Sequence, residues 1–220
     1  STRKITAKLI DSGSCGKNAN WELYEDGSIY ISGSGAIWDY ELDYNKTPMT
    51  NVPWPKGIVK NVIIEDGITE IGDDTFWEYS TVNAVSIPDS VIRIGSGAFN
   101  SCELTSVEIP NSVQVIGLGA FAWSSLESVT IPGSVYLIQE SFLGCASLKS
   151  VKIEEGVALI LESAFGYCES LEEVTIPLSV SYIEAGAFQG CSSLKSVTIS
   201  KACDVEENAF PEGVTINYYE

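Results

Sequence analysis

The stretch LKSVKIEEGVALILESAFGYC, residues 148–168, decides how this chain folds. Its apolar residues fall at Leu148, Val151, Ile153, Val157, Ile160, Ala164, Phe165 and Cys168, and the same pattern recurs on either side. Phe76, Phe99, Phe121, Phe142, Phe165, Phe188 and Phe210 stand 21 to 23 residues apart and are all the Phe in the chain. A second ladder keeps step ahead of them at Ile64, Ile87, Ile109, Ile131, Ile153, Ile176 and Ile199. Self-similarity at such a period marks a stack of one small supersecondary unit. A single unit of this size cannot bury its own apolar face, so its neighbours must bury it.

The unit reads Leu-x-x-Val-x-Ile-Pro-x-Ser-Val-x-x-Ile-Gly-x-x-Ala-Phe-x-x-Cys. Val107/Ile109, Val129/Ile131, Val151/Ile153, Val174/Ile176 and Val197/Ile199 alternate with the period of a strand buried on one face. Stacked, these strands predict a parallel inner sheet. Pro88, Pro110, Pro132 and Pro177 follow the strand, where a fixed φ and a missing N–H end the ladder and start a turn. A second short extended piece points Val91/Ile94, Val113/Ile116 and Val180/Ile183 inward, and a helical turn places Ala98, Ala120, Ala164, Ala187 and Ala209 before the buried Phe. The fold expected is a repeat solenoid, mainly β with short helical turns, of about seven rungs over residues 58–220.

Four of the six cysteines, Cys102, Cys145, Cys168 and Cys191, lie three residues after the repeat Phe and read as buried free thiols. Cys15 and Cys203 lie near opposite ends and have no reason to meet. Before residue 58 the repeat is absent. Trp21 to Tyr24, a turn at Glu25-Asp26-Gly27, and Ser28 to Ser32 read as a hairpin in a capping segment, residues 1–57, which covers the first rung's open edge. Aromatics gather there and read first as the core of a small, loop-rich cap; the alternative makes some of them an exposed stacking platform, for which Trp38, Tyr40 and Tyr44, in a loop without apolar alternation, are the candidates. The same loop, Asp39 to Asn45, puts oxygen ligands at alternate positions as calcium loops do. It has Tyr44 where the sharp turn needs Gly and Thr50 where the closing acid belongs, so it reads as a solvated acidic loop.

Composition narrows function by exclusion. The chain has no histidine, which removes Ser-His-Asp triads, Cys-His pairs and His-ligated metal sites. A formal charge of −18 repels phosphate backbones and anionic headgroups, so nucleic acid and membrane surfaces are poor partners. No apolar run approaches the roughly 18 residues of a membrane span, and no signal sequence follows Ser1. No cofactor and no catalytic site are expected. The solvent-facing strand positions, among them Glu108, Lys152 and Glu173 in a lining of Ser and Thr, are the candidate ligand contacts on the repeats. Just before these strands Glu127, Lys149, Glu172 and Lys195 alternate in sign, which predicts a ladder of exposed ion pairs.

Units such as Ser193-Leu194-Lys195-Ser196-Val197-Thr198-Ile199 and Ile183-Glu184-Ala185-Gly186-Ala187-Phe188 resemble the BspA-type leucine-rich-repeat family. The resemblance runs from Ile58 to Glu220, and the segment from Cys15-Gly16 to Gly35-Ala36 is similar to one that precedes such repeats. It implies a secreted or cell-surface bacterial protein with a role in adhesion or protein binding. The function expected is therefore a non-catalytic module with a protein partner. The alternatives are carbohydrate binding through the aromatic cap, or a spacer within a larger surface protein.

Overall fold

The computed structural model describes residues 6–40 and 51–219. It is a β-solenoid in which every rung turns through two short strands and one hairpin-like corner. The first strands run Asn61–Ile64, Ala84–Ser86, Ser106–Val107, Ser128–Ile131, Ser150–Ile153, Glu173–Thr175, Ser196–Ile199 and Thr215–Tyr218. They pair in parallel and in repeat register, Val129 with Val107 and Val151, and Val197 with Val174 and Ile216. The expected parallel sheet is present in three hydrogen-bonded blocks, interrupted after Ala84–Ser86 and after Ser150–Ile153, although the strands flanking each interruption stay neighbours.

The second strands, from Ile68–Ile71 through Arg93–Ile94, Val115–Ile116, Leu137–Ile138, Leu159–Ile160 and Tyr182–Ile183 to Asp204–Val205, build a second parallel sheet in two hydrogen-bonded blocks, interrupted between Val115–Ile116 and Leu137–Ile138. Ile71, Ile94, Ile116, Ile138, Ile160 and Ile183 point from it into the core. The Ser of Pro-x-Ser-Val ties this sheet from rung to rung: Ser90 Oγ donates to the Ile68 carbonyl, Ser112 to Val91 and Ser179 to Val157, at 2.7, 2.7 and 2.8 Å. Each hydroxyl satisfies a carbonyl that the first turn of a two-residue strand would otherwise leave open.

The corner carrying the Phe is not helical, which corrects the expected helical turn. Residues two before the Phe take the left-handed conformation in every rung, at Asp74, Gly97, Gly119, Glu140, Ser163, Gly186 and Asn208. Two after it the same holds at Glu78, Ser101, Trp123, Gly144, Tyr167 and Gly190. A right-handed helix cannot pass through such residues. The corner instead makes three-residue turns, Ala98 N–H to Gly95 and Asn100 N–H to Gly97, and bonds to the next rung, Phe99 N–H to Ala120 and Phe165 N–H to Ala187. The seven Phe rings form one stack with centroids 5.1 to 5.7 Å apart. Beside it each Cys thiol donates to the Phe carbonyl one rung back: Cys102 to Phe76, Cys145 to Phe121, Cys168 to Phe142 and Cys191 to Phe165, at 3.0 to 3.4 Å. All six cysteines are free, and burial pushes Cys102 up to about 12 and Cys145 up to about 11.

The cap holds three strands, β1 (Leu9–Ser14), β2 (Asn18–Tyr24) and β3 (Ser28–Ala36), of which β2 and β3 form the expected hairpin and β1 adds to its free edge. β3 then serves as the rung before the first, since Ser28–Ile31 pair in parallel with Asn61–Ile64 and Gly35 with Ile68. Gly33, at φ 109°, lets β3 pass from one sheet to the other; a Cβ there would stand 2.1 Å from the Asn18 carbonyl oxygen. Trp54 continues the Phe stack into the cap, 5.2 Å from Phe76 at 24°.

Candidate binding surfaces

The outer face of the first sheet carries the polar lining expected of it. Glu108 and Lys152 come together in a shallow groove of about 500 Å³ with Ser106, Ser128 and Thr130, over three consecutive rungs. Lys152 Nζ lies 3.1 Å from Glu154, so the cation is already paired. Glu173 is exposed on the next rung, beyond the interruption in the sheet, and does not line this groove. The alternating charges form two separate pairs, Lys149–Glu127 at 2.9 Å and Lys195–Glu172 at 2.6 Å, with no ion pair from Lys149 to Glu172 among the described residues. Both are solvated and contribute about 0 to 1 kcal/mol each.

The cap's aromatics are mostly core. Trp21 and Tyr40 meet Trp54 edge to face at 5.9 and 5.8 Å. Tyr40, one of the three platform candidates, is buried by this packing, and the same burial raises its hydroxyl pKa. Trp38 remains exposed, at 49%. Tyr44 lies outside the described residues, as do the calcium-like positions from Glu41 onward. Asp39 is used structurally: its carboxylate accepts the Asp73 N–H at 2.8 Å and faces Arg93 at 3.7 Å. Arg93 also pairs with Asp73 and reaches Glu70 at 4.0 Å, joining cap, first rung and second rung. Beside this cluster Asp74 is pushed up to about 6 by burial and then by the charges of Asp73 and Asp39.

A surface the sequence reading did not single out lies on the outer face of the second sheet. Between its inward Val and Ile each rung has two outward places, and from Ile92 to Leu159 five of these eight are large and apolar, Ile92, Val115, Tyr136, Leu137 and Leu159, beside Arg93, Gln114 and Ala158. Ile92, Val115 and Tyr136 are 43, 49 and 61% exposed. The signal was present as apolar residues in the two variable places of Val-x-x-Ile, where a half-buried strand normally turns polar ones outward. Along one edge Glu140, Glu162, Glu184 and Glu206 follow the strands, and none is in an ion pair among the described residues. Glu184 and Glu206 accept backbone N–H groups of Glu162 and Ala185. The face is thus an aliphatic stripe with an anionic edge. No group of three or more Cys, Asp or Glu among the described residues could hold a metal ion, and no helix there is long and apolar enough to cross a membrane.

The sequence model of the BspA type leucine rich repeat region matches residues 56–143 and 116–219, in six copies. No curated protein matches the chain. Among solved structures, a leucine-rich repeat protein from Eubacterium ventriosum is similar over 96% of this chain and 73% of its own, at 23% identity and a TM-score of 0.58. A leucine rich repeat protein of T. pallidum is 26% identical, with a TM-score of 0.57 over 81% of this chain and 88% of its own. The pneumococcal vaccine antigen PcpA gives a TM-score of 0.58 at 19% identity over 89% of this chain, which spans about half, 51%, of that protein. At these identities the Eubacterium and pneumococcal likenesses establish the fold alone.

Proposed function

This chain belongs to the BspA type leucine rich repeat family, and from that premise we propose that it is a non-catalytic, cell-surface or secreted binding module that docks a protein through the outer face of its second sheet. The observation that carries this reading is the aliphatic stripe of Ile92, Val115, Tyr136, Leu137 and Leu159. Contiguous exposed apolar surface of this kind is kept where a partner covers it. Tyr136 is the anchor, because a Tyr offers large apolar area with little entropy to lose. The unpaired edge of Glu140, Glu162, Glu184 and Glu206 selects a partner whose apolar patch is bordered by Lys or Arg, and speeds its approach. Neither catalysis nor a cofactor enters this account, since rigid rungs and an uncharged stripe perform docking without chemistry.

The polar groove of Glu108 and Lys152 is a second contact face, favoured because three rungs bring these two side chains together. Its Ser and Thr lining supplies hydrogen bonds without an aromatic anchor, so it supports a weaker contact. An array of host extracellular and bacterial surface proteins, probed with the wild-type chain and with Glu108→Ala/Lys152→Ala, separates the two faces. Hits enriched in basic proteins and retained by the groove variant support docking on the stripe. Loss of those hits in the groove variant moves the site to the first sheet, and an array without any protein hit overturns the reading.

A further inference from the structure

The corner position two residues after the Phe is left-handed in six of the seven rungs, with φ 56° at Glu78, 57° at Ser101, 58° at Trp123, 72° at Gly144, 57° at Tyr167 and 72° at Gly190. Glycine adopts this conformation freely, whereas a bulky side chain there is strained. Trp123 and Tyr167 accept the strain without burial to offset it, being 57 and 46% exposed. Strain held at an exposed aromatic, in a place where neighbouring rungs have Gly, points to a use for the ring.

The rings are also seated in a particular way. A Cβ on Gly144 would fall 2.4 to 2.7 Å from three adjoining indole carbons of Trp123. One on Gly190 would fall 2.5 to 3.1 Å from three adjoining ring carbons of Tyr167. Such near-equal distances place each glycine under a ring face and not at its edge, so the aromatic–glycine alternation over four rungs exists to let two rings lie down. No aromatic or cationic side chain covers either ring among the described residues. The rings sit two rungs apart, about 10 Å at the spacing of paired strands.

We propose that Trp123 and Tyr167 form a stacking platform for a neutral, β-linked linear glycan. In an extended β-1,4-linked chain every second pyranose presents the same face, and the disaccharide repeat matches the two-rung spacing. The axial C–H groups of that face carry the positive edge that the negative face of an aromatic ring attracts. Further along the same corners Glu103, Ser125, Ser147 and Glu169 stand exposed or half-exposed. The carboxylates and the overall charge of −18 turn away uronic-acid or sulfated chains, and stacked nucleic-acid bases with their phosphates. This platform is on the corner edge, separate from the aliphatic stripe and from the cap.

Calorimetric titration with cellohexaose, chitohexaose, xylohexaose and β-mannohexaose tests it, using the wild-type chain, Trp123→Gly, Tyr167→Gly and the double variant. At least one glycan binds the wild type, more tightly as the chain lengthens from disaccharide to tetrasaccharide. Each single variant binds it at least about tenfold more weakly. Because glycine relieves the left-handed strain, the variants melt no lower than wild type, so a lost ligand is not a lost fold. Val115→Glu/Tyr136→Ala leaves glycan affinity unchanged, which keeps failure of this site distinct from failure of the docking stripe. Binding of none of the four glycans, binding that survives the double variant, or loss of a protein hit in place of a glycan overturns the proposal.

Discussion

Phe121 stacks between Phe99 and Phe142 at 5.6 and 5.7 Å, with ring planes 7° apart on both sides, and is fully buried. Removing that ring leaves a void between two rungs that cannot close, because backbone bonds on either side hold the rungs in register. Phe121→Ala is expected to lower unfolding free energy by about 3 to 5 kcal/mol in chemical denaturation. Asp74 gives a prediction of opposite sign. Its carboxyl rises from 3.8 to about 6 on folding, so the folded chain holds the proton more tightly than the unfolded one. Stability is then highest below the lower value and falls as pH climbs through that window. Asp74→Asn, which suits φ 53° and removes the charge beside Asp73 and Asp39, should melt higher than wild type at pH 7. Allowing for solvent screening of a half-exposed group, the gain is on the order of 1 kcal/mol. It should vanish below about pH 4, and a melting series across pH checks this. The Phe and Cys ladders were legible because a buried position in a stack admits few residue types. The Ser clips were not, because the consensus gives a hydroxyl's place and not its partner.

The cap is attached to the first rungs through Arg93, which draws together Asp39, Asp73 and Glu70, and through the backbone bonds of Ile37 to Glu70 and Tyr40 to Asp73, both 2.9 Å. Arg93→Ala leaves three carboxylates facing one another. It is expected to weaken cap attachment by about 1 to 2 kcal/mol, between an exposed and a buried pair. Hydrogen exchange should accelerate at the Ile37 and Tyr40 amides and stay unchanged at Phe165. The hairpin of β2 and β3 was legible from Glu25-Asp26-Gly27 between alternating segments. β1 was not, since Leu9–Ser14 carries Asp, Ser and Gly and gains its strand from pairing along β2. The Phe corner read as helical because Ala precedes Phe in a helix-favouring context. Left-handed φ values at both flanks, imposed by the need to turn sharply back to the next strand, override that propensity.

At the scale of the whole molecule, one core runs from the cap's Cys15 and Trp21 through every rung to Ala209, so the faces are presented by a single cooperative body. Its ion-paired cations lie by the first sheet, near the cap and at Arg93 at the cap end of the second sheet, and beyond Arg93 the outer face of the second sheet carries the aliphatic stripe with its glutamate edge. The outward places of Glu108, Lys152 and Glu173 on the first sheet were legible from strand alternation, whereas the groove that two of them line was not. The stripe was not, because apolar residues in variable positions look like further core until the inward set is known. The most direct test of docking on the stripe is the equilibrium affinity for the strongest protein hit, measured with wild type and with Val115→Glu/Tyr136→Ala at matched melting temperature. The account predicts at least about a hundredfold loss in the variant, and in the wild type an affinity that falls as salt screens the glutamate edge. Equal affinity of the two proteins would contradict it.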